Sequence, residues 1–551
     1  MQTRQTPAGV WNQIARGQSS FAAATARHTW EVPDQYNITG DVVDGWADQE
    51  EHAHRTALGV LDDDGMLTRT SWAELQQLTR KFGSALLGPL EIRRGDVVAV
   101  VLGQSLAAAV AHLGAYRVGA VVCPISHLYA GEALAWRLAH SETRVLVTEA
   151  AGYEQVAPLV ARLPHLRHVV VVGAWPATDV HEFWQLLESS APNCETVATL
   201  ADEPAILIYT SGTTGHPKGV LHAHRVALGH ANVSYLLEGV GETDAFWSPN
   251  DWSWIAGLGN GLLAQLGLGV TVLSMGSRRF DPIAAAEFVD TYRPSVGYLP
   301  PSALRLMRQH RITLQHPLRC LVTGGEVLSD DLRDWTRDHL CRSLNNGFGQ
   351  TEGNDTLGVV HAWEQPAAET IGRVLPGHEA AVLDPDGHPL PDGEQGELCL
   401  REQGSPVFFL QYLKNPDETA RTKRGGWIHT GDQVTRDSDG YFHFVGRGDD
   451  VIKSSGYRIG PTEIENTISR HPAVLECVVV GLPDPVRGQV VTAVLRLAPG
   501  ADEHAVTEEL TALTRDQVGR HAYPRRFEFV SEFPKTVTGK IQRAVVRTQF
   551  V

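Results

Sequence analysis

Lysine is scarce in this sequence. Only seven occur (Lys81, Lys218, Lys414, Lys423, Lys453, Lys535 and Lys540), and the rest of the 47 basic residues are arginine. A chain with this preference keeps a lysine where a compact ammonium on a flexible stem is needed. Lys218 and Lys540 each sit in a polar turn flanked by glycine. Cysteine pairs are missing too. The six cysteines are scattered without a CxxC spacing, and Cys123 ("AVVCPI") and Cys477 ("ECVVVG") lie in apolar, strand-like contexts. That pattern excludes a disulfide framework and a cysteine metal site, and favours buried reduced thiols in a reducing compartment, the cytoplasm. No run approaches the roughly 18 apolar residues of a membrane span. An excess of positive charge is absent as well: the net charge is −17. This argues against a nucleic-acid partner, yet a local cluster of donors still permits a small polyanion. The first thirty residues carry arginines and no acid, and lack the apolar segment of a secretory signal. They read as an ordinary polar arm, with an organelle matrix as the alternative address. Repeats and low-complexity tracts are absent.

At 551 residues the chain exceeds one compact core, and two or three domains are expected. From about residue 66, short apolar runs ("DVVAVVL", "AVVCPI", "RVLVTE", "HVVVVG", "AILIYT", "VTVLSM", "SVGYLP", "CLVTGG") alternate with stretches of helix length. Runs without polar alternation, separated by helices, predict an α/β fold with parallel sheets covered on both faces. Near residue 380 turn dipeptides between short strands predict antiparallel hairpins. The last hundred residues read as a small α+β domain joined at Gly446–Asp450, with a helix opening near Pro461 and another over roughly 503–518.

The stretch "YTSGTTGHPKGV" (209–220) follows the apolar run "AILIYT" and precedes a helix predicted near His224. A strand, a loop of Gly, Ser and Thr, and a helix form a common anion grip: backbone N–H groups converge, hydroxyls add donors and lysine adds charge. The stretch is not a Walker A sequence, because Pro217 precedes Lys218 and Gly219 follows it. By itself it reads equally as a solvated loop.

Five stretches in order carry a resemblance: "YTSGTTGHPKG", "GFGQTE" (347–352), "TGD" (430–432), "GRGDDVIKSSGYRIGPTEIE" (446–465) and "PKTVTGKIQR" (534–543). The chain from about residue 200 to its end resembles the adenylate-forming (ANL) superfamily. "SSGYRIGPTEIEN", "HPAV", "PDPVRGQVV" and "PKTVTGKIQR" are most similar to its medium-chain acyl-CoA synthetases. The resemblance implies a large N-terminal part, residues 1–447, of two doubly wound α/β subdomains and a β-rich subdomain, and a small mobile domain, 448–551. It implies ATP, CoA and Mg²⁺, and two half-reactions: a carboxylate attacks the α-phosphorus to give acyl-AMP and pyrophosphate, then a thiol displaces AMP.

Roles follow by position. Ser211, Gly212, Thr213, Thr214, Gly215 and Lys218 would wrap the β- and γ-phosphates. Thr351 would contact the α-phosphate, and Glu352 would hold Mg²⁺. Gly325, Glu326, Val327, Asn346 and Phe348 resemble the adenine pocket, and Asp432 with Arg447 the ribose site. Lys540 would bridge the reacting carboxylate and the α-phosphate. Asp449 matches the hinge, Arg458 would serve the adenylating state, and Gly456 would approach the pantetheine arm of CoA. Arg515, Arg525 and Arg526 are candidates for the CoA phosphates or a solvated basic surface. "NDWSWIAGL" resembles the segment lining the acyl channel, with Trp254, Ile255 and Ala256 facing it. Gly324 and Gly349 would be wall positions whose missing side chains leave room beyond two carbons. A short-branched, medium-chain or aromatic acid is therefore expected over acetate. Two other readings are transfer of the acyl group to a carrier-protein phosphopantetheine, and a non-catalytic scaffold. The family also makes a homodimer an expectation.

Overall fold

The computed structural model describes residues 20–551 except 63, 174–179, 211–216, 277–279, 327, 365–369, 403, 449, 455–456, 486, 519–521 and 537–538. Among the described residues the strands form four sheets. One has eight strands, and its centre (Val121–Pro124, Val97–Val101, Val145–Glu149, His168–Val172) is parallel. These strands read "VVCP", "VVAVV", "VLVTE" and "HVVVV", with no polar alternation, because helices cover both faces and nearly every side chain is buried. The second sheet has nine strands. Thr271–Ser274, Ala245–Trp247, Val296–Tyr298, Cys320–Gly324 and Leu344–Gln350 run parallel through it, and Asn354–Val359 returns antiparallel beside the last. The apolar runs quoted above become strands in these two sheets, as predicted.

A five-stranded antiparallel sheet follows. It is built on Ala380–Leu383, Gly396–Arg401, Trp427–Arg436 and Phe442–Arg447, which realises the hairpins expected near residue 380. The C-terminal residues form a separate sheet around Val474–Asp484 and Gly488–Leu497, flanked by helices Pro461–Ser469 and Glu503–Gln517. Pro461 opens the first of these at a position where its missing N–H costs nothing. Ile452, Ile459, Ile464, Ile468 and Leu510 give this sheet a core of its own. All six cysteines are free thiols, five of them buried.

One local expectation changes. Residues 204–210 and 218–223 are two antiparallel strands, paired from Pro204↔Ala223 to Thr210↔Lys218, and the helix begins only at Val226. A strand, Lys218–Ala223, therefore stands between the glycine-rich stretch and the helix, and residues 211–216 themselves lie outside the described residues. The physical reason is burial: "KGVLHA" is buried from Gly219 to Ala223 and pairs with the apolar "PAILIYT".

Candidate active site

Lys540 stands on a tight turn in the small domain. Thr536 N–H donates to the Lys540 carbonyl (2.7 Å), Lys540 N–H donates to Thr536 Oγ1 (3.2 Å), and Gly539 takes φ +83°. Three residues on, the Arg543 guanidinium pairs with both oxygens of Glu465 on helix Pro461–Ser469, reaches Asp450 at 3.2 Å and donates to the Val479 carbonyl at 2.7 Å. This clamp ties the turn to its own domain. The lysine side chain points the other way: its Nζ lies 3.7 Å from where a Cβ would stand on Gly325, at the end of strand Cys320–Gly324. The residue as a whole is exposed to the cleft between the domains. The protein mass around the ammonium lowers its pKa, Glu326 and Asp432 oppose that shift, and Arg447 adds to it.

Asp432 and Arg447 are directly opposed on adjacent strands, with Arg447 donating to Asp432 Oδ1 and to the Thr430 carbonyl, both at 2.9 Å. Asp432 is 5% exposed. Burial raises its pKa, the arginine pulls it down, and the nearby Glu352 charge pushes it up again. A buried carboxylate held in place by a guanidinium is a rigid acceptor suited to a pair of hydroxyls.

On the far side of the cleft Lys218 opens strand Lys218–Ala223. It pairs with Glu418 and lies 5.2 Å from the centre of the Tyr412 ring. The Tyr412 hydroxyl donates to Glu352 Oε1 at 2.7 Å. Glu352, Tyr412, Lys218 and Glu418 thus form one contiguous polar set. Tyr412 and Glu418 went unrecognised in the sequence, where nothing local sets them apart; strand pairing of Tyr412 with Val220 brings them in. Thr351 precedes Glu352 in the turn after Leu344–Gln350. The candidates Ser211, Gly212, Thr213, Thr214, Gly215, Val327, Asp449 and Gly456 lie outside the described residues.

Glu326 pairs with Arg305. Asn346 donates to the Thr370 carbonyl at 3.4 Å, and the Phe348 ring lies 6.1 Å from that of Phe444. Arg458 stands opposite Lys453 on a short strand. Arg515 is exposed on helix Glu503–Gln517, Arg525 contacts the Tyr523 hydroxyl, and Arg526 is taken up by Glu528 at 2.6 Å. The Trp254 ring lies 6.5 Å from that of Tyr129, tilted by 58°, Ile255 packs against the core, and Ala256 opens a π-helical stretch to Leu263; such stretches recur at functional sites.

Gly324 and Gly349 do not leave the space expected of them. A Cβ on Gly324 would meet the Gly347 carbonyl at 2.5 Å, and one on Gly349 the Asn354 carbonyl at 2.0 Å. Both glycines are required by close backbone approach between neighbouring strands. Their small size therefore carries no information about pocket volume.

The sequence pattern of the AMP-binding enzyme family matches residues 46–412, and that of the AMP-binding enzyme C-terminal domain matches residues 463–540. The mouse acyl-coenzyme A synthetase ACSM5, mitochondrial, is 32% identical, with 95% of this chain and 93% of that protein aligned. Human ACSM2B, mitochondrial, is 32% identical over 94% of this chain and 91% of its own length. Among solved structures, the anthranilate CoA ligase AuaEII in complex with anthranoyl-AMP superposes with a TM-score of 0.86 at 27% identity, covering 94% of this chain and 98% of that one. A benzoate CoA ligase from Burkholderia xenovorans gives 0.81 at 29%, covering 93% and 100%. This chain belongs to the AMP-binding enzyme family of adenylate-forming proteins. Within it, the chain is an AMP-forming acyl-CoA synthetase, an ATP-dependent acid–CoA ligase.

Proposed function

We propose that one cleft, closed by Lys540, runs both half-reactions on a short-branched, medium-chain or aromatic carboxylic acid. The observation that carries this reading is Lys540 Nζ standing 3.7 Å from the Cβ position of Gly325, with Asp432 close enough to affect its charge. Two anions, carboxylate and triphosphate, must approach each other for adenylation, and a lysine ammonium between them offsets part of their repulsion. Residues 211–215 and Lys218 would hold the leaving pyrophosphate, with Thr351 on the α-phosphate. Asp432 and Arg447 would take the ribose; Glu326, Val327, Asn346 and Phe348 would surround the adenine. Glu352 fits a magnesium ion: Tyr412 occupies one oxygen and leaves the other for a hard cation shared with phosphate oxygens. Bound there, Mg²⁺ would neutralise phosphate charge. The small domain, divided from the large at 447/448, would then turn about Asp449, withdraw Lys540 and bring Gly456 to the pantetheine arm. We place the reaction in the cytoplasm, or in an organelle matrix like that of the mitochondrial relatives.

The acid class rests on the motifs similar to medium-chain acyl-CoA synthetases and on relatives named for acyl, benzoate and anthranilate chemistry. Incubation with ATP, CoA and a panel of acids, read by mass for AMP and acyl-CoA, tests it. The expected outcome is acyl-CoA from four-carbon or larger acids in preference to acetate. A higher kcat/KM for acetate than for butyrate through octanoate, or AMP formed with a phosphopantetheinylated carrier and not with CoA, would overturn it.

A further inference from the structure

Behind Lys540 the side chains are polar. The Tyr298 hydroxyl lies 3.2 Å from the Cβ position of Gly324 and 3.9 Å from that of Gly325, the point that Lys540 Nζ also approaches. One strand over, the Cβ position of Gly347 is 3.2 Å from the Asp355 carboxylate. Asn260, on the π-helical stretch after Trp254, donates its amide to Asp355 Oδ2 at 3.0 Å. Its Oδ1 is 2.6 Å from Nδ1 of His230, a histidine buried completely.

These contacts fix the hydrogen-bonding sense of the cluster. With the Asn260 amide nitrogen facing a carboxylate, its oxygen faces His230 and the proton sits on Nδ1. Burial depresses the His230 pKa to about 4, so the ring is neutral and Nε2 is a bare acceptor, without a partner among the described residues. Asn260 is likewise the one described side chain that donates to Asp355. Surrounding protein pushes the Asp355 pKa up to about 6, yet part of its surface stays accessible. Asp355 is thus packed round by protein and still reachable by a small molecule. The Tyr298 hydroxyl and the Asn260 amide are donors here, while Asp355 and His230 Nε2 leave acceptor positions open, and an unmatched buried acceptor is costly.

We propose that the acid used by this enzyme carries a hydrogen-bond donor, a hydroxyl or amino group, on its acyl moiety, and that Asp355, oriented by Asn260, recognises it. This rests on the reading that the substrate carboxylate sits beside Lys540. A plain alkyl or phenyl acid would leave Asp355 desolvated against hydrocarbon, which is how a polar site rejects the analogue lacking a donor.

The test measures pyrophosphate release, which does not depend on the thiol acceptor. It compares benzoate with its ring-hydroxylated and ring-aminated forms, and hexanoate with its terminal hydroxy acid. The donor-bearing acids are expected to have the higher kcat/KM. Asp355→Leu should reduce that preference by about 10- to 100-fold, the scale of a hydrogen bond to a charged group, while raising turnover of the plain acids. Asp355→Asn, which keeps the shape, should give an intermediate ratio. Equal or better use of plain acids by the unaltered enzyme, or a preference unmoved by both variants, overturns the inference and leaves the ligase standing. Pyrophosphate release with no acid in the panel overturns both.

Discussion

Asp355 is the residue whose chemistry and stability pull in opposite directions. Its carboxyl pKa is raised from 3.8 to about 6, chiefly by burial, with the Asn260 hydrogen bond opposing the rise. Glu238, buried against Gln265, and the Tyr298 hydroxyl share this region, and burial pushes their pKa values up also. A carboxyl whose folded pKa lies above its unfolded value contributes stability below the unfolded pKa and loses that contribution as pH rises through the folded pKa. The ionised carboxylate at neutral pH therefore costs about 2–3 kcal/mol relative to the protonated one. Asp355→Asn removes the charge and keeps the shape. Its melting temperature relative to the unaltered protein should rise between about pH 4 and pH 6 and level off above about pH 7, as followed by calorimetry. A difference flat across that range would show that folding does not raise the Asp355 pKa as described.

At the scale of elements, the turn carrying Lys540 owes its position to Arg543, which ties it to Glu465 and Asp450. Lys540→Ala should suppress adenylation by about 100-fold or more, the scale of losing one preorganised charge, and should affect thioester formation from supplied acyl-AMP far less. Arg543→Met, which loosens the turn without removing the ammonium, should give a smaller loss of the same kind. Equal losses in both half-reactions would contradict this assignment of the turn. The strands and helices around these elements were legible because unalternating β-branched runs admit few interpretations. "VVAVV" and "HVVVV" are central strands, as read. Motif order likewise made Lys540, Asp432 and Glu352 candidates. What could not be read depends on pairing across the chain. The glycine-rich loop precedes a strand, since "KGVLHA" finds its partner in "PAILIYT". Gly324 and Gly349 are small because neighbouring backbone stands 2.5 and 2.0 Å from their Cβ positions. Tyr412, Asp355 and Asn260 belong to different elements, and only the assembled fold brings Tyr412 to Glu352 and Asn260 to Asp355.

On the scale of the whole molecule, the enzyme must do two incompatible things in one place. In the proposed mechanism adenylation needs Lys540 beside Gly325, where it is found. Thioester formation needs the same entrance open to a thiol on a long arm, and a fixed lysine turn would obstruct it. The C-terminal sheet has its own isoleucine-rich core, separate from that of the large domain, so it can move while keeping that core intact. Motion would be absorbed where the two meet. Gly448 N–H bonds back to the Gly431 carbonyl at 2.8 Å and Asp450 N–H to the Arg447 carbonyl at 3.0 Å, which leaves Asp449 between two anchored neighbours. A few residues absorbing a large backbone rotation are enough for domain closure. Proline fixes φ near −65°, so Asp449→Pro should hold the domain in the arrangement seen here. We expect a burst of pyrophosphate equal to the enzyme present, accumulation of bound acyl-AMP, and slow release of acyl-CoA. Rapid-quench mass measurement of acyl-AMP and acyl-CoA distinguishes this from a general loss. Undiminished acyl-CoA turnover by Asp449→Pro would show that the two chemistries do not require rotation at this residue.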